Sequence, residues 1–305
     1  MKKYMNLFSR INKPSAQWEG YTVARNATTN EDRQKALLQI SKTRYEESKT
    51  YPLDRYFKTD LRRMLKGKDV LEVGSNHGGA ALAYFERYEL KSIVGLDTTE
   101  SQVETSTLFF KSRGLNSNFD FVKGYAEALP FSSNSFDAVI SFDVFEHVSD
   151  LSSTMNECFR VLRPHGKLLC VFPSYYHPTQ THLVDVTSAP CLHWVFTPQE
   201  IMEVFWDILD DNPAYRDKKG LKRRPLRAWE KLWIVNGITL CKFRKIIAKQ
   251  KWSSVEHIPV PIGSVGKAVE EKPLLRIVKY FSWIGTRLPI LEEITNQRIV
   301  YILTK

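Results

Sequence analysis

The stretch Asp69-Val70-Leu71-Glu72-Val73-Gly74-Ser75-Asn76-His77-Gly78-Gly79 decides the fold. A short apolar run ends in an acidic residue and a glycine-containing turn, and a helical pattern then begins near Ala80. This order predicts a strand, a tight loop and a helix, with small residues that let the loop backbone approach a ligand closely. The free N–H groups at the start of the helix would face the same ligand. A Gly-x-x-x-Gly turn also occurs where a helix only packs on a sheet.

A second apolar run, Ser92-Ile93-Val94-Gly95-Leu96-Asp97, also ends in an acid. Asp97 follows Glu72 by 25 positions. An acid at the tip of the second strand can bind a ribose, because one carboxylate accepts hydrogen bonds from both ribose hydroxyls. The two runs together favour a ligand site over simple helix packing.

Further segments follow in a fixed order. They are Gly124-Tyr125-Ala126-Glu127-Ala128-Leu129-Pro130-Phe131, Ser135-Phe136-Asp137-Ala138-Val139, Phe145-Glu146-His147-Val148 and Arg160-Val161-Leu162-Arg163-Pro164-His165-Gly166. With Glu72-x-Gly74-x-x-x-Gly78 and Asp97, the set resembles the class I S-adenosylmethionine-dependent methyltransferases, in the small-molecule branch with Glu-His-Val after the fourth strand. The resemblance covers about residues 66–205 and departs at Asn76, where the family usually has glycine. A dehydrogenase would carry a denser Gly-x-Gly-x-x-Gly, which is absent.

The resemblance and the alternating strand and helix patterns predict an α/β fold. We expect a Rossmann-like, seven-stranded, mostly parallel sheet with helices on both faces. Residues 1–65 would form an N-terminal arm, irregular to about residue 30, and a helical cap. Residues 66–208 would form the cofactor-binding core, 209–290 a basic, Trp-containing insertion or lid, and 291–305 the last strand of the core sheet.

The resemblance implies S-adenosylmethionine as the cofactor. Glu72 and Gly74 would lie beside its amino-acid part and Asp97 would bind its ribose. The segment from Tyr125 would flank the adenine, and Phe142 would lie near the sulfonium. The full set expected to contact the cofactor is Glu72, Gly74, Ser75, Asn76, Gly78, Asp97, Thr98, Tyr125, Ala126, Glu127, Phe142, Asp143 and His147.

The catalytic candidates are histidines, because a hydroxyl acceptor needs a base near neutral pH. His147 follows the fourth strand, and its alternative role is to orient that loop. After the fifth strand, His182 with Asp185 could form a base and its orienting partner, and His193 is a further candidate. These histidines could equally be ordinary residues of a lid loop. We predict no metal site, because the ligands that His182, Asp185 and Asp143 offer are few and scattered.

The net charge of +10 is concentrated in residues 211–251, which hold 13 Lys/Arg and 3 Asp/Glu. Apolar residues from Trp229 to Ile247 recur at spacings of three and four, interrupted at Gly237. The pattern fits an amphipathic helix on an anionic membrane or a clamp for a phosphorylated or nucleic-acid partner. It fits equally a helix that packs its apolar stripe on the core.

The leading hypothesis is a methyltransferase acting on an oxygen or nitrogen of a small-molecule, sugar or natural-product acceptor. An RNA methyltransferase that uses residues 211–251 is an alternative. Nucleic acid is the less favoured partner, because Ser141-Phe142-Asp143-Val144 lacks the Asn/Asp-Pro-Pro-Tyr of amino-methylating DNA enzymes. The third hypothesis is a non-catalytic cofactor-binding or membrane-docking protein.

Localisation is predicted from what the sequence lacks. It contains no apolar run of about 18 residues, and its first six residues have no signal-peptide core. Its four cysteines are widely separated, as suits reduced thiols. We therefore expect a cytoplasmic protein, either free or peripheral to a membrane.

Overall fold

The computed structural model describes residues 1–11, 16–178, 182–183, 186–264, 273–289 and 291–305; side chains are described in these ranges except at 16–19 and 273–276. Asp185, a catalytic candidate, lies outside the described residues. The strands are β1 Asp69–Val73, β2 Ser92–Asp97, β3 Phe119–Lys123, β4 Phe136–Phe142, β5 Leu162–Phe172, β6 Ser254–His257, β7 Val260–Pro261 and β8 Asn296–Thr304. The helices are α1 Lys2–Leu7, α2 Ala16–Asn26, α3 Asn30–Thr50, α4 Asp54–Phe57, α5 Leu61–Leu65, α6 Gly79–Arg87, α7 Glu100–Ser112, α8 Leu151–Val161, α9 Leu192–Val195, α10 Pro198–Asp210, α11 Pro213–Lys218, α12 Leu240–Ile247, α13 Pro273–Gly285 and α14 Glu292–Thr295.

The strands form one mostly parallel sheet in the order β3-β2-β1-β4-β5-β8-β6. Strands β1 to β5 pair in parallel, and β8 runs antiparallel to both β5 and β6. The short strand β7 pairs with β8 off this path. The predicted Rossmann-like architecture is therefore confirmed, with one short strand added to the expected seven.

Both faces of the sheet are buried, because side chains alternate along each strand. Val70, Ile140 and Ile302 point into a core that also contains residues of α3 to α7. Their neighbours Leu71 and Val139 point into a second core, formed with α8 and α12. The sheet thus places the carboxyl ends of β1, β2 and β4 at one edge, where parallel α/β sheets bind ligands.

The N-terminal segment differs from the prediction of an irregular arm, because α1 and α2 are helical. The sequence favours Asn30 as the N-cap of a helix over about 31–48. The helix α3 begins one residue earlier, at Asn30, because the side chain of Thr29 accepts from the Asp32 backbone N–H. The sequence pattern also predicts one helix over residues 53–66, where the structure has two short ones. Lys58 adopts a left-handed conformation after α4, and Asp60 caps α5.

The segment 209–290 contributes to the sheet as well as to the surface, because β6 and β7 lie within it. Of the stripe expected between Trp229 and Ile247, only α12 is helical. Its apolar residues Phe243 and Ile247 are buried in the second core, as the core-packing interpretation requires.

Helix α13 leaves several large apolar side chains exposed. They are Ile277, Val278, Tyr280, Phe281, Trp283 and Ile284. The helix has 13 residues, too few for a bilayer span. Within the described part of the chain, no helix combines the length and apolar character needed to cross a membrane.

Candidate functional site

The loop between β1 and α6 turns through three left-handed residues. Gly74, Asn76 and Gly78 have φ of 82°, 50° and 74°. A Cβ on Gly74 would lie 2.2 Å from Cγ2 of Val144, and one on Gly78 would lie 2.9 Å from Cβ of Ser106. Asparagine tolerates the left-handed region better than most residues. Asn76 can therefore replace the usual glycine without changing the path of the loop.

Asp97 joins this loop to the end of β2. Its Oδ2 accepts a hydrogen bond from the Asn76 N–H at 2.7 Å, and its Oδ1 accepts from Thr98 N–H at 2.7 Å. Each carboxylate oxygen accepts more than one hydrogen bond, so both can still bind a ribose hydroxyl. Burial raises the pKa of Asp97, and the two backbone N–H groups oppose this rise.

Glu72 is buried at the carboxyl end of β1. Its Oε2 has no hydrogen-bond partner among the described residues. Burial raises the pKa of Glu72 to about 8; the charge of Asp97 adds to the rise and that of Arg44 opposes it. Arg44 comes from α3, which lies so close to the loop that a Cβ on Gly79 would be 2.8 Å from Cβ of Arg44.

The segment after β3 is less enclosed. Ala126 is buried, whereas the side chain of Tyr125 is 62% exposed. Oε1 of Glu127 accepts from both the backbone N–H and the hydroxyl of Ser149, at 2.8 and 2.7 Å. Glu127 therefore holds the loop before α8, while Tyr125 offers an open ring at the expected adenine position.

A groove of about 280 Å³ lies at the carboxyl end of β4. The ring of Tyr56 contacts that of Phe142 edge-on at 5.3 Å, and Arg298 from β8 forms an ion pair with Asp143. The lining residues are Arg44, Glu47, Ser48, Tyr51, Leu53, Arg55, Tyr56, Tyr84, Phe142, Asp143 and Arg298. The groove thus combines aromatic walls with three arginines and two carboxylates.

Glu146, His147 and His182 form a cluster, and Glu146 and His182 line a separate small cavity. Oε1 of Glu146 lies 3.6 Å from Nε2 of His147 and 3.8 Å from Nε2 of His182. Burial raises the pKa of Glu146 well above its usual value, repulsion by Asp143 adds to this, and Arg298 opposes it. Burial lowers the pKa of His147. The histidine is therefore neutral at physiological pH, as a base must be.

His193 lies elsewhere, among aromatic rings. Its ring is 5.2 Å from that of Tyr175 and 6.3 Å from that of Trp194. Burial lowers its pKa to about 4. The structure therefore brings together His147 and His182, of the four catalytic candidates, and sets His193 in a separate aromatic cluster.

Three residues of the site were not predicted individually from the sequence. Glu146 belongs to the Glu-His-Val motif, but only the fold shows that its carboxylate is buried against two histidines. Arg298 is a cation at the start of an otherwise apolar final strand, and this break in the pattern was a usable signal. Arg44 lies in a polar helix with many charges, and nothing in its sequence context distinguishes it.

Comparison with known proteins bears on the same residues. Residues 71–170 match the family model for a methyltransferase domain. The chain is 37% identical over 101 residues to a sterol 24-C-methyltransferase of Aspergillus fumigatus, which covers 33% of this chain and 26% of that protein. It is 32% identical over 124 residues to a fatty-acid O-methyltransferase of Mycolicibacterium smegmatis, with coverage of 41% and 44%. The chain therefore matches less than half the length of these two relatives.

Solved structures agree on the fold. An S-adenosylmethionine-dependent methyltransferase from Mesorhizobium loti aligns with a TM-score of 0.50 at 12% identity, covering 80% of this chain and 95% of that one. At this identity the likeness concerns the arrangement of strands and helices.

Proposed function

We propose that the chain, whose residues 71–170 match the family model for a methyltransferase domain, is a class I S-adenosylmethionine-dependent methyltransferase that transfers a methyl group to an oxygen or nitrogen of a small-molecule acceptor. The cofactor of the family, S-adenosylmethionine, supplies the methyl group as a sulfonium electrophile. The protein aligns the acceptor with this group and excludes water from it.

The loop from Gly74 to Gly78 carries this proposal, because its geometry fits the cofactor. Two glycines stand where a Cβ would collide with neighbouring residues, and the buried Glu72 has an oxygen that no described residue satisfies. Asp97 is fixed by two backbone N–H groups in the position from which a carboxylate holds a ribose. The residues present therefore suit the amino-acid and ribose parts of the cofactor, with Arg44 available for its carboxylate.

The acceptor is assigned to the groove between α3, α4 and the ends of β4 and β8. Its aromatic and aliphatic walls, Tyr51, Leu53, Tyr56 and Phe142, suit an apolar body. Arg55 suits a polar or anionic end, because it stacks on the Tyr51 ring at 4.7 Å and has no carboxylate partner among the described residues. The names of the two relatives specify a sterol and a fatty acid, so amphipathic lipids are the acceptors to test first.

The acceptor must lose a proton if it is a hydroxyl. The neutral His147 and its neighbour His182 are the groups we assign to this step, since both imidazoles converge on Glu146. His193 lies apart among Tyr175, Tyr176 and Trp194, so we do not assign it to this step.

A nucleic-acid acceptor is less favoured because part of the basic segment is neutralised internally. Arg224 and Arg227 both pair with the buried Glu230. Arg216 pairs with two acids, and Arg244 pairs with Glu292. These arginines hold the segment together, and a phosphate backbone would have to compete for them.

We also propose that the protein binds an anionic bilayer surface through α13, rather than through 211–251 alone. The exposed ring of Trp283 is covered by Arg287, whose guanidinium carbon lies 3.4 Å from the ring centroid. Aromatic rings beside cations suit the headgroup region of a membrane. The Arg244–Glu292 ion pair connects α12 to α14, which places the exposed Lys245 on a helix joined to this surface.

The test of the proposed function is the formation of S-adenosylhomocysteine from S-adenosylmethionine in the presence of fatty acids, sterols and hydroxylated natural products. We expect turnover with at least one acceptor, abolished in Asp97→Ala and retained in Glu104→Ala, which removes an exposed acid of α7. Turnover that Asp97→Ala does not change would contradict the assigned site. Cofactor binding without turnover on any acceptor would favour a non-catalytic protein.

A further inference from the structure

The carboxylate of Glu146 is an unusual feature of this fold. The residue is 2% exposed, and neither of its side-chain oxygens has a hydrogen-bond partner in the described part of the chain. A buried carboxylate without a partner is costly unless it is protonated or neutralised by a cation. Arg298, the nearby cation, already forms its ion pair with Asp143.

Two imidazoles point at this carboxylate. The rings of His147 and His182 are perpendicular, with centroids 5.0 Å apart, and both direct Nε2 toward Oε1 of Glu146. Nδ1 of His147 lies 2.8 Å from the carbonyl oxygen of Ile234. A carbonyl only accepts, so Nδ1 carries the proton and Nε2 presents a lone pair. This is the arrangement by which backbone carbonyls orient metal-bound histidines.

We propose that Glu146, His147 and His182 bind a divalent transition-metal ion such as Zn²⁺. One ligand atom from each of the three residues lies within 4.8 Å of the other two. Tetrahedral Zn²⁺ with bonds of about 2.1 Å needs its ligand atoms about 3.4 Å apart. The distances of 3.6 and 3.8 Å from Oε1 to the two nitrogens exceed this by a few tenths of an ångström, which side-chain rotation can close.

The ligand set selects the class of ion. Two imidazoles and one carboxylate suit Zn²⁺ or Fe²⁺ better than Mg²⁺ or Ca²⁺, which prefer oxygen ligands throughout. This site differs from the oxygen-rich set of Asp143, His182 and Asp185 considered from the sequence, because it uses Glu146 and both imidazoles.

The site is also held rigidly and keeps one side open. Asn236 donates its backbone N–H to the Glu146 carbonyl, and its side-chain amide donates to the carbonyls of Phe145 and Val148, each at 2.8 Å. A small cavity touches both Glu146 and His182; its other lining residues are Pro173, Ser174, Tyr175, Val235, Gly237 and Ile238. A fourth coordination position facing this cavity could take a water molecule or an oxygen of an acceptor, as in catalytic zinc sites. With the ion bound, the two imidazoles would be its ligands, and their role as base would be confined to the metal-free protein.

Metal binding can be measured without cofactor or acceptor, so its outcome is independent of the proposed methyl transfer. Protein freed of metal with a chelator is titrated with Zn²⁺ by calorimetry and with Co²⁺ by visible absorption. We expect one ion per chain and the ligand-field spectrum of a four-coordinate Co²⁺ site. His147→Ala, His182→Ala and Glu146→Gln should each weaken binding by about tenfold or more.

His165→Asn is the matched control, because it removes an exposed histidine from a left-handed backbone position that asparagine tolerates. Circular dichroism of each variant shows whether it is folded, and Glu146→Gln changes the chemistry of the site with little change in shape. His165→Asn should bind the ion as tightly as the wild type does. The proposal is overturned if the wild type binds no ion after chelation, or if the three ligand variants bind as tightly as the wild type. Loss of binding in His165→Asn alone would also place the ion elsewhere.

Discussion

The backbone N–H of Asn76 donates to Oδ2 of Asp97 at 2.7 Å, so the loop after β1 and the end of β2 form one rigid edge. Asp97→Ala should weaken binding of S-adenosylmethionine at least tenfold, because it removes both the ribose acceptor and this anchor of the loop. A tenfold loss corresponds to about 1.4 kcal/mol. Calorimetric titration with S-adenosylhomocysteine measures the effect, and Glu104→Ala should bind like the wild type. Unchanged affinity in Asp97→Ala would remove the ribose assignment.

Two glycines have nearly the same left-handed backbone conformation but different surroundings. Replacing each by alanine therefore distinguishes the cost of backbone strain from the cost of a collision with a neighbouring side chain. Gly74 has φ of 82° and Gly114 has φ of 81°, yet a Cβ would contact Val144 only at Gly74 and would meet open space at Gly114. Gly114→Ala should cost about 1–2 kcal/mol of stability through the left-handed backbone alone. Gly74→Ala should cost about 1–3 kcal/mol more through the collision. Urea unfolding of both variants tests this, and equal losses would mean that the loop moves away from Val144 freely.

The sequence was sufficient for the parts of this protein that local patterns encode. The apolar runs predict strands near residues 69–73, 92–96, 119–123 and 137–142, and β1 to β4 lie within one residue of these bounds. Apolar runs bounded by turn residues are strong signals. The segment of β6, by contrast, is mostly exposed along Ser254–His257, so its sequence carries no run of apolar residues that would mark a strand. Its pairing with β8 follows from the tertiary structure alone.

The residues of the site also fall into two groups, those that the sequence could predict and those that it could not. Glu72, the glycines and Asp97 are close in sequence to the strands that position them, and their motif could be recognised. Arg298 and Asp143 are 155 positions apart, and the Glu146 cluster requires three loops to converge. Such contacts depend on how the last strand and the segment around Ile234 pack against the core, which a single sequence does not specify.

The raised pKa of Glu72 makes a prediction about pH. The folded state binds the proton more tightly than the unfolded chain, since burial raises the pKa from 4.5 to about 8. The contribution of this carboxyl is therefore fully present below pH 4.5 and declines as the pH rises to about 8, by at most about 1.4 kcal/mol per pH unit. Glu72→Gln cannot ionise and should lose less stability across this window. Urea unfolding between pH 5 and 8.5 measures the difference, and parallel curves for the two proteins would show that Glu72 is already ionised in the fold.

The exposed face of α13 predicts binding to anionic vesicles. Ile277 and Phe281 are 56% and 65% exposed and lie one helical turn apart. Burying one such side chain contributes on the order of 1.5–3 kcal/mol, so the double variant Ile277→Ser/Phe281→Ser should bind vesicles at least tenfold more weakly. Val195→Ser, which removes an equally exposed apolar residue on α9, should bind like the wild type. Sedimentation with vesicles of mixed neutral and anionic phospholipid measures this, and higher salt should weaken binding because the exposed cations contribute to it. If the wild type stays in the supernatant, α13 is excluded as the membrane contact. It is also excluded if the double variant sediments with the vesicles as fully as the wild type does.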